Sequence, residues 1–91
     1  MIIFDEKKYV EEVMFSDNFE LNNMIIKNLG ILAKYYVYQG VERDDIPILL
    51  EKFVIKHNME YCPYQIYIEK AMKIADKYKL EHNRRIHITE N

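Results

Sequence analysis

The scarcity of helix-breaking residues is the feature that most constrains how this chain can fold. Two glycines and two prolines are spread over 91 residues, while 49% of the residues are hydrophobic. Apolar residues recur at spacings of three and four, which is the period of an amphipathic helix. A chain of this composition can bury a core. The pattern predicts an all-α fold, a compact bundle of about four helices in a single domain spanning residues 1–91.

The predicted helices cover about residues 6–15, 21–39, 44–57 and 63–79. Asp5 has the side chain of an N-cap, and Gly40 occupies the position of a C-terminal capping glycine. Pro47 falls in the first turn of the third helix, where its missing N–H group does no harm. Gly30 lies in the middle of the second helix, which predicts a close helix crossing at that point.

The C-terminal residues follow a different pattern. Ile86 and Ile88 alternate with polar residues between Arg84 and Thr89, as in a short strand. We expect this run to be extended, either pairing with residues 1–4 in a small two-stranded patch or forming a tail. Residues 83–91 are therefore predicted to be a tail or the start of a continuation beyond residue 91.

The second helix carries two apolar stripes on neighbouring faces, so one small bundle cannot easily bury its whole girth. The first stripe contains Ile25, Leu29, Leu32, Ala33 and Tyr36. The second stripe contains Met24, Ile31, Tyr35 and Tyr38. Tyrosine is enriched in interface hot spots. The second stripe is therefore predicted to be a protein interface, and the alternative is that the first helix or the C-terminal tail covers it.

Charge is distributed unevenly along the chain. Residues 1–62 carry a net charge of −4, whereas residues 70–87 carry a net charge of +4. The region contains six basic residues. Lys70, Lys73 and Lys77 share one helix face, Arg84 and Arg85 extend the patch, and Lys79 is the sixth. They form a candidate footprint for nucleic-acid backbone. Glu69, Asp76 and the acidic isoelectric point of about 5.9 favour the alternative, a solvated basic face.

The residue types needed for catalysis or metal binding do not occur at suitable spacings. Cys62 precedes a predicted helix start and His57 lies five residues upstream, but no third group or oxyanion site accompanies them. His82 and His87 complete the potential zinc ligands without forming two close pairs. The two glycines stand apart, so no glycine-rich phosphate loop is present. We therefore predict a non-enzymatic protein without a metal or cofactor.

Cellular location is constrained by what the sequence lacks. The chain contains no apolar run of about 18–20 residues, the length needed to cross a bilayer. Its first residues, 1–6, contain acids and lack the basic region of a signal peptide. A single cysteine excludes a disulfide framework within the chain. These features predict a cytoplasmic protein that does not enter a membrane.

Two runs resemble helical modules of phage and prophage proteins from low-GC Gram-positive bacteria. They are Leu32-Ala33-Lys34-Tyr35-Tyr36-x-Tyr38-x-Gly40 and Lys70-Ala71-x-Lys73-x-Ala75-x-Lys77-Tyr78-x-Leu80. The resemblance covers about residues 20–89 and implies a small phage or mobile-element protein that acts by binding. The predicted function is thus interaction with a host or phage protein, or with a second copy of the chain. The alternative is a nucleic-acid-binding accessory protein that uses the basic C-terminal region.

Overall fold

The computed structural model describes residues 6–19, 24–57 and 64–89, with side chains of the last helix described to residue 81. Helix α1 spans Lys7–Tyr9 and continues as a π-helix over Val10–Met14. Helix α2 spans Ile25–Tyr38, a 3₁₀ turn spans Arg43–Asp45, and helix α3 spans Ile46–Lys56. Helix α4 spans Tyr64–Thr89. The predicted all-α bundle is confirmed.

The end of α2 forms where the sequence predicts it. Gly40 has a φ of 83°, the left-handed conformation that glycine adopts without strain. The N–H of Gly40 donates to the carbonyl of Val37, and the N–H of Val41 donates to the carbonyl of Tyr36, both at 3.0 Å. These two bonds form a Schellman motif, which satisfies carbonyls that the end of the helix leaves without partners. The predicted N-cap Asp5 lies outside the described residues.

The C-terminal region differs from its prediction. The expected extended run at residues 84–89 is wrong, because α4 continues as one helix to Thr89. No glycine or proline interrupts residues 64–89. Adding a residue to an existing helix needs no new nucleation, and this advantage outweighs a short alternating pattern. The proposed pairing with residues 1–4 therefore has no strand on the C-terminal side, and residues 1–4 lie outside the described part of the chain.

Helices α2 and α4 run parallel, and α3 runs antiparallel to α4. Ile25, at the start of α2, shares a groove with Tyr67, at the start of α4, and Gly30 packs against Ile74 further along both helices. Arg43, just before α3, binds Asp76 in α4, whereas Pro47 lies beside residues 68–73. The prediction that Gly30 marks a close crossing is confirmed.

The core lies between these three helices and is closed on one side by α1 and its π-helical extension. The N–H of Phe15 donates to the carbonyl of Val10 at 3.0 Å, a bond that spans five residues as in a π-helix. Both Val10 and Met14 are fully buried. The largest fully buried side chains are Met14, Leu29, Leu32, Ile46, Leu50, Val10 and Val54.

Candidate interaction surface

The second stripe of α2 is covered along its middle by residues 6–19 of the same chain, which we call the N-terminal segment. Ile31 and Tyr35 are each 8% exposed. The ring of Phe15 meets the ring of Tyr35 edge-on, with centroids 5.8 Å apart. These two residues are therefore part of the core, as the alternative for this stripe predicted.

Two hydrogen bonds and one ion pair connect the N-terminal segment to α2. The hydroxyl of Tyr35 donates to Oε2 of Glu11 at 2.8 Å. The hydroxyl of Tyr9 donates to Oδ1 of Asn28 at 2.8 Å, and Nζ of Lys34 lies 3.1 Å from Oε1 of Glu6. The tyrosine hydroxyls thus find partners inside the molecule, and buried tyrosines need such partners.

The environment of Tyr35 keeps its hydroxyl protonated. Burial and the hydrogen bond to the Glu11 carboxylate raise the pKa of Tyr35 to about 12. Both effects act in the same direction, because each disfavours a negative charge on the phenolic oxygen. Tyr35 therefore remains a hydrogen-bond donor throughout the physiological pH range.

The two ends of the same stripe stay accessible. Met24 is 65% exposed and Tyr38 is 45% exposed. Met24 also has a φ of 57°, a left-handed conformation that a residue with a Cβ atom adopts at a cost of about 1–2 kcal/mol. Of the four residues predicted to form an interface, the structure leaves these two at opposite ends of α2, separated by the covered segment.

Two grooves meet at Met24. One, of about 390 Å³, lies between α1 and α2 and is lined by Glu6, Tyr9, Met24, Lys27, Asn28 and Ile31. The other, of about 400 Å³, lies between the first turns of α2 and α4 and is lined by Met24, Ile25, Ile26, Lys27 and Tyr67. Met24 and Lys27 line both grooves, and we call this pair the Met24 ridge. Lys27 and Tyr67 were not predicted as site residues, although Lys27 stands out as a cation directly after an apolar run.

The predicted basic residues lie along α4. Lys70, Lys73 and Lys77 are exposed on one side of this helix. Arg84 and Arg85 belong to the same helix, but their side chains lie outside the described part. Asp76 is engaged elsewhere, because its two carboxylate oxygens accept hydrogen bonds from Arg43 at 3.1 Å each. This acid therefore faces α3 and leaves the lysine side of α4 cationic.

His57 sits in an aromatic cluster rather than in a catalytic one. Its ring centroid lies 4.5 Å from that of Phe53 and 5.6 Å from that of Phe19. Burial, with a smaller contribution from the charge of Lys56, lowers the pKa of His57. Its Nε2 atom is buried and has no hydrogen-bond partner within the described residues. Cys62, the other candidate for nucleophilic chemistry, lies outside them.

The described residues form neither a metal-binding cluster nor a membrane-spanning helix. No group of three or more His, Cys, Asp or Glu side chains that could hold a metal ion occurs among the described residues. No helix there is long and apolar enough to cross a membrane. No protein-family model matches the chain, and comparisons with curated proteins and with solved structures found no match.

Proposed function

We propose that this chain is a non-catalytic helical module that binds another protein through the Met24 ridge and its two grooves. The observation that carries the proposal is the state of Met24, a large apolar side chain that is 65% exposed in a left-handed backbone conformation. Both properties are unfavourable in the isolated domain. A partner that covers Met24 would remove its exposed apolar area from water, as in the hot spots of protein interfaces.

The resemblance to phage modules indicates what kind of partner to expect. A small phage or mobile-element protein in the bacterial cytoplasm would act on a host or phage protein. The partner can also be a second copy of the chain, since a ridge flanked by grooves can pair with the same surface of another copy around a two-fold axis. In both cases Met24 enters a pocket of the partner, and apolar partner side chains fill the grooves.

The test compares two exposed apolar residues, one on the ridge and one away from it. Met24→Asp adds a charge to the ridge, and Ile48→Asp adds the same charge to α3, where Ile48 is 53% exposed and lines neither groove. Sedimentation velocity measures self-association, and tagged protein is used to capture partners from a low-GC Gram-positive lysate. We expect Met24→Asp to lose the complex and Ile48→Asp to retain it.

A captured protein is then purified and its affinity for both variants is measured. Equal binding of both variants would contradict the proposal. Circular dichroism melts should show no loss of stability in either variant, because both positions are exposed. Met24→Asp should melt slightly higher than the unmodified chain, because aspartate adopts the left-handed conformation at a lower cost than methionine.

A second candidate function is nucleic-acid binding through α4. The observation that favours it is the length of this helix, which carries Lys70, Lys77 and Arg84 at seven-residue intervals in one continuous element. Such a row can follow a phosphate backbone. Fluorescence anisotropy with labelled duplex and single-stranded DNA and RNA tests this function. The affinity should fall steeply with salt, with each Lys→Ala change reducing the slope by about one. Absence of binding at low salt would rule it out.

A further inference from the structure

The place where α2 and α4 come closest is a seam that remains open to solvent. A Cβ atom on Gly30 would lie 2.8 Å from Cδ1 of Ile74, so this glycine is what allows the two helices to approach. Ile74 nevertheless remains 37% exposed. We call the surface around this contact the α2–α4 seam.

Lysines surround the seam on both helices. Lys27 and Lys34 lie one turn before and one turn after Gly30, and Lys70 and Lys77 lie one turn before and after Ile74. Residues three or four positions apart share a helix face, so all four lysines belong to the side of their helix that carries the contact. Because α2 and α4 run parallel, Lys27 and Lys70 lie at one level along the two helices, and Lys34 and Lys77 lie at another.

The positive charge of the seam is mostly uncompensated. Lys34 is paired with Glu6 at 3.1 Å. Lys27, Lys70 and Lys77 are exposed, and none of them has an ion-pair partner among the described residues. This local excess of cations occurs in a chain whose net charge is −2. The seam therefore attracts acidic groups at short range, while the chain as a whole does not attract an extended polyanion.

The floor of the seam is apolar. Ile26, which is 36% exposed, and Tyr67 lie in the groove at its entrance, and Ile74 lies at its centre. An apolar floor with cationic rims complements an amphipathic helix that has acidic residues on both sides of its apolar stripe. A nucleic-acid backbone would satisfy the lysines but would leave the isoleucines facing phosphate groups.

We infer that the α2–α4 seam binds an acidic amphipathic helix of the partner protein. The inference rests on the proposed function and names the chemistry of the partner. Lys27 belongs to both the Met24 ridge and the seam, so the partner helix continues from the grooves at Met24 toward the contact at Ile74. The distance from Lys27 to Lys34 along α2 is about 10 Å, so two turns of a partner helix span the seam.

The experiment measures fluorescence anisotropy of a labelled synthetic helix of about 14 residues, long enough to cover the seam with about one turn to spare at each end. Its apolar stripe consists of leucines flanked by glutamates. A second peptide carries lysine in place of each glutamate, and a single-stranded oligonucleotide of equal length serves as the nucleic-acid probe. The protein variant in the seam is Lys70→Glu with Lys77→Glu, which changes the two seam lysines of α4 and leaves the Met24 ridge intact. The matched control is Lys8→Glu with Lys52→Glu, two exposed lysines of α1 and α3.

We expect the acidic peptide to bind and the basic peptide not to bind. The seam double variant should weaken binding of the acidic peptide about tenfold or more, and the control double variant should change it less than about threefold. Equal losses in the two double variants would overturn the inference, because net charge alone would then explain them. Tighter binding of the oligonucleotide would overturn it in favour of nucleic acid, and no binding of the acidic peptide would overturn it outright.

Failure of this inference can be distinguished from failure of the proposed function. If Met24→Asp abolishes partner capture while the seam double variant still captures the partner, the Met24 ridge is the binding site and the seam is not. If neither variant affects capture, both proposals fail. Thermal melts should show no loss of stability in any of these variants, because every altered side chain is exposed.

Discussion

The fold treats two sides of helix α2 in opposite ways. The side with Ile31 and Tyr35 is closed by α1 and the π-helix through aromatic packing and hydrogen bonds. The side facing α4 at Gly30 leaves a seam that is open and rimmed by lysines. The comparison shows that aromatic content is a poor guide to exposure. Tyrosines can be buried when partners for their hydroxyls are available, whereas unpaired lysines stay in water.

The largest expected effect separates two tyrosines on the covered stripe. Tyr35 is 8% exposed and contacts Glu11, so Tyr35→Asp would place a second carboxylate at a buried position beside the first. We expect this substitution to destabilise the fold by about 3 kcal/mol or more. Tyr38→Asp, at a position 45% exposed, should change the free energy of unfolding by less than about 0.5 kcal/mol. Urea denaturation measures both values. Similar stabilities for the two variants would mean that the N-terminal segment does not cover Tyr35 in solution.

The next effect isolates the hydroxyl of Tyr35. Tyr35→Phe removes the hydrogen bond to Glu11 and should cost about 1.5 kcal/mol at neutral pH. The folded-state pKa of about 12 exceeds the ordinary value of 10, so the unfolded chain loses this proton first as the pH rises. The contribution is therefore complete below pH 10 and is lost between about pH 10 and 12.

Ultraviolet absorbance of tyrosinate, recorded together with circular dichroism, follows this alkaline transition. Tyr35→Phe should reduce the alkaline loss of stability relative to the unmodified chain. An unchanged alkaline profile would show that the Tyr35–Glu11 bond contributes nothing to it.

A smaller effect probes the open side at its closest contact. Gly30→Ala should be nearly neutral, because the helix-propensity gain of about 1 kcal/mol is offset by the approach of the new Cβ to Cδ1 of Ile74. Ile74→Val removes that methyl group. On this background Gly30→Ala should stabilise the fold by about 1 kcal/mol, since the contact is relieved and the propensity gain remains. A double-mutant cycle of thermal melts measures the difference, and strict additivity would refute the close contact.

The smallest effect separates the paired lysine from an unpaired one. Lys34→Gln breaks the partly buried ion pair with Glu6 and should cost about 0.5 kcal/mol. Lys27→Gln breaks no ion pair within the described residues and should leave the free energy of unfolding unchanged within about 0.3 kcal/mol. Chemical denaturation in low salt, where exposed ion pairs are strongest, distinguishes the two variants. A larger loss of stability for Lys27→Gln than for Lys34→Gln would show that the Lys27 ammonium group makes a stabilising contact in the fold.

Much of the fold follows from local patterns along the chain. The period of apolar residues predicts α2, α3 and the first part of α4, and Gly40 predicts where α2 ends. The C-terminal end of α4 was not predicted correctly, because the alternation of Ile86 and Ile88 resembles a strand. Whether a helix continues there depends on the helical residues before them. Of the candidate site, Met24 and Tyr38 are exposed as an interface requires, and Ile31 and Tyr35 are not.

The amino-acid sequence alone determined that the chain forms helices, where α2 stops and which residues are apolar enough to be buried, because these properties depend on residues a few positions apart. The tertiary structure alone decided that both apolar stripes of α2 are covered along their middle. Both stripes have the right spacing for packing, and burial of the second one depends on α1 and the π-helix crossing it. Gly30 shows the same division: its sequence position predicts a close crossing, but only the assembled fold brings Ile74 to it. Packing between distant segments is a property of the whole chain, and no local pattern encodes it.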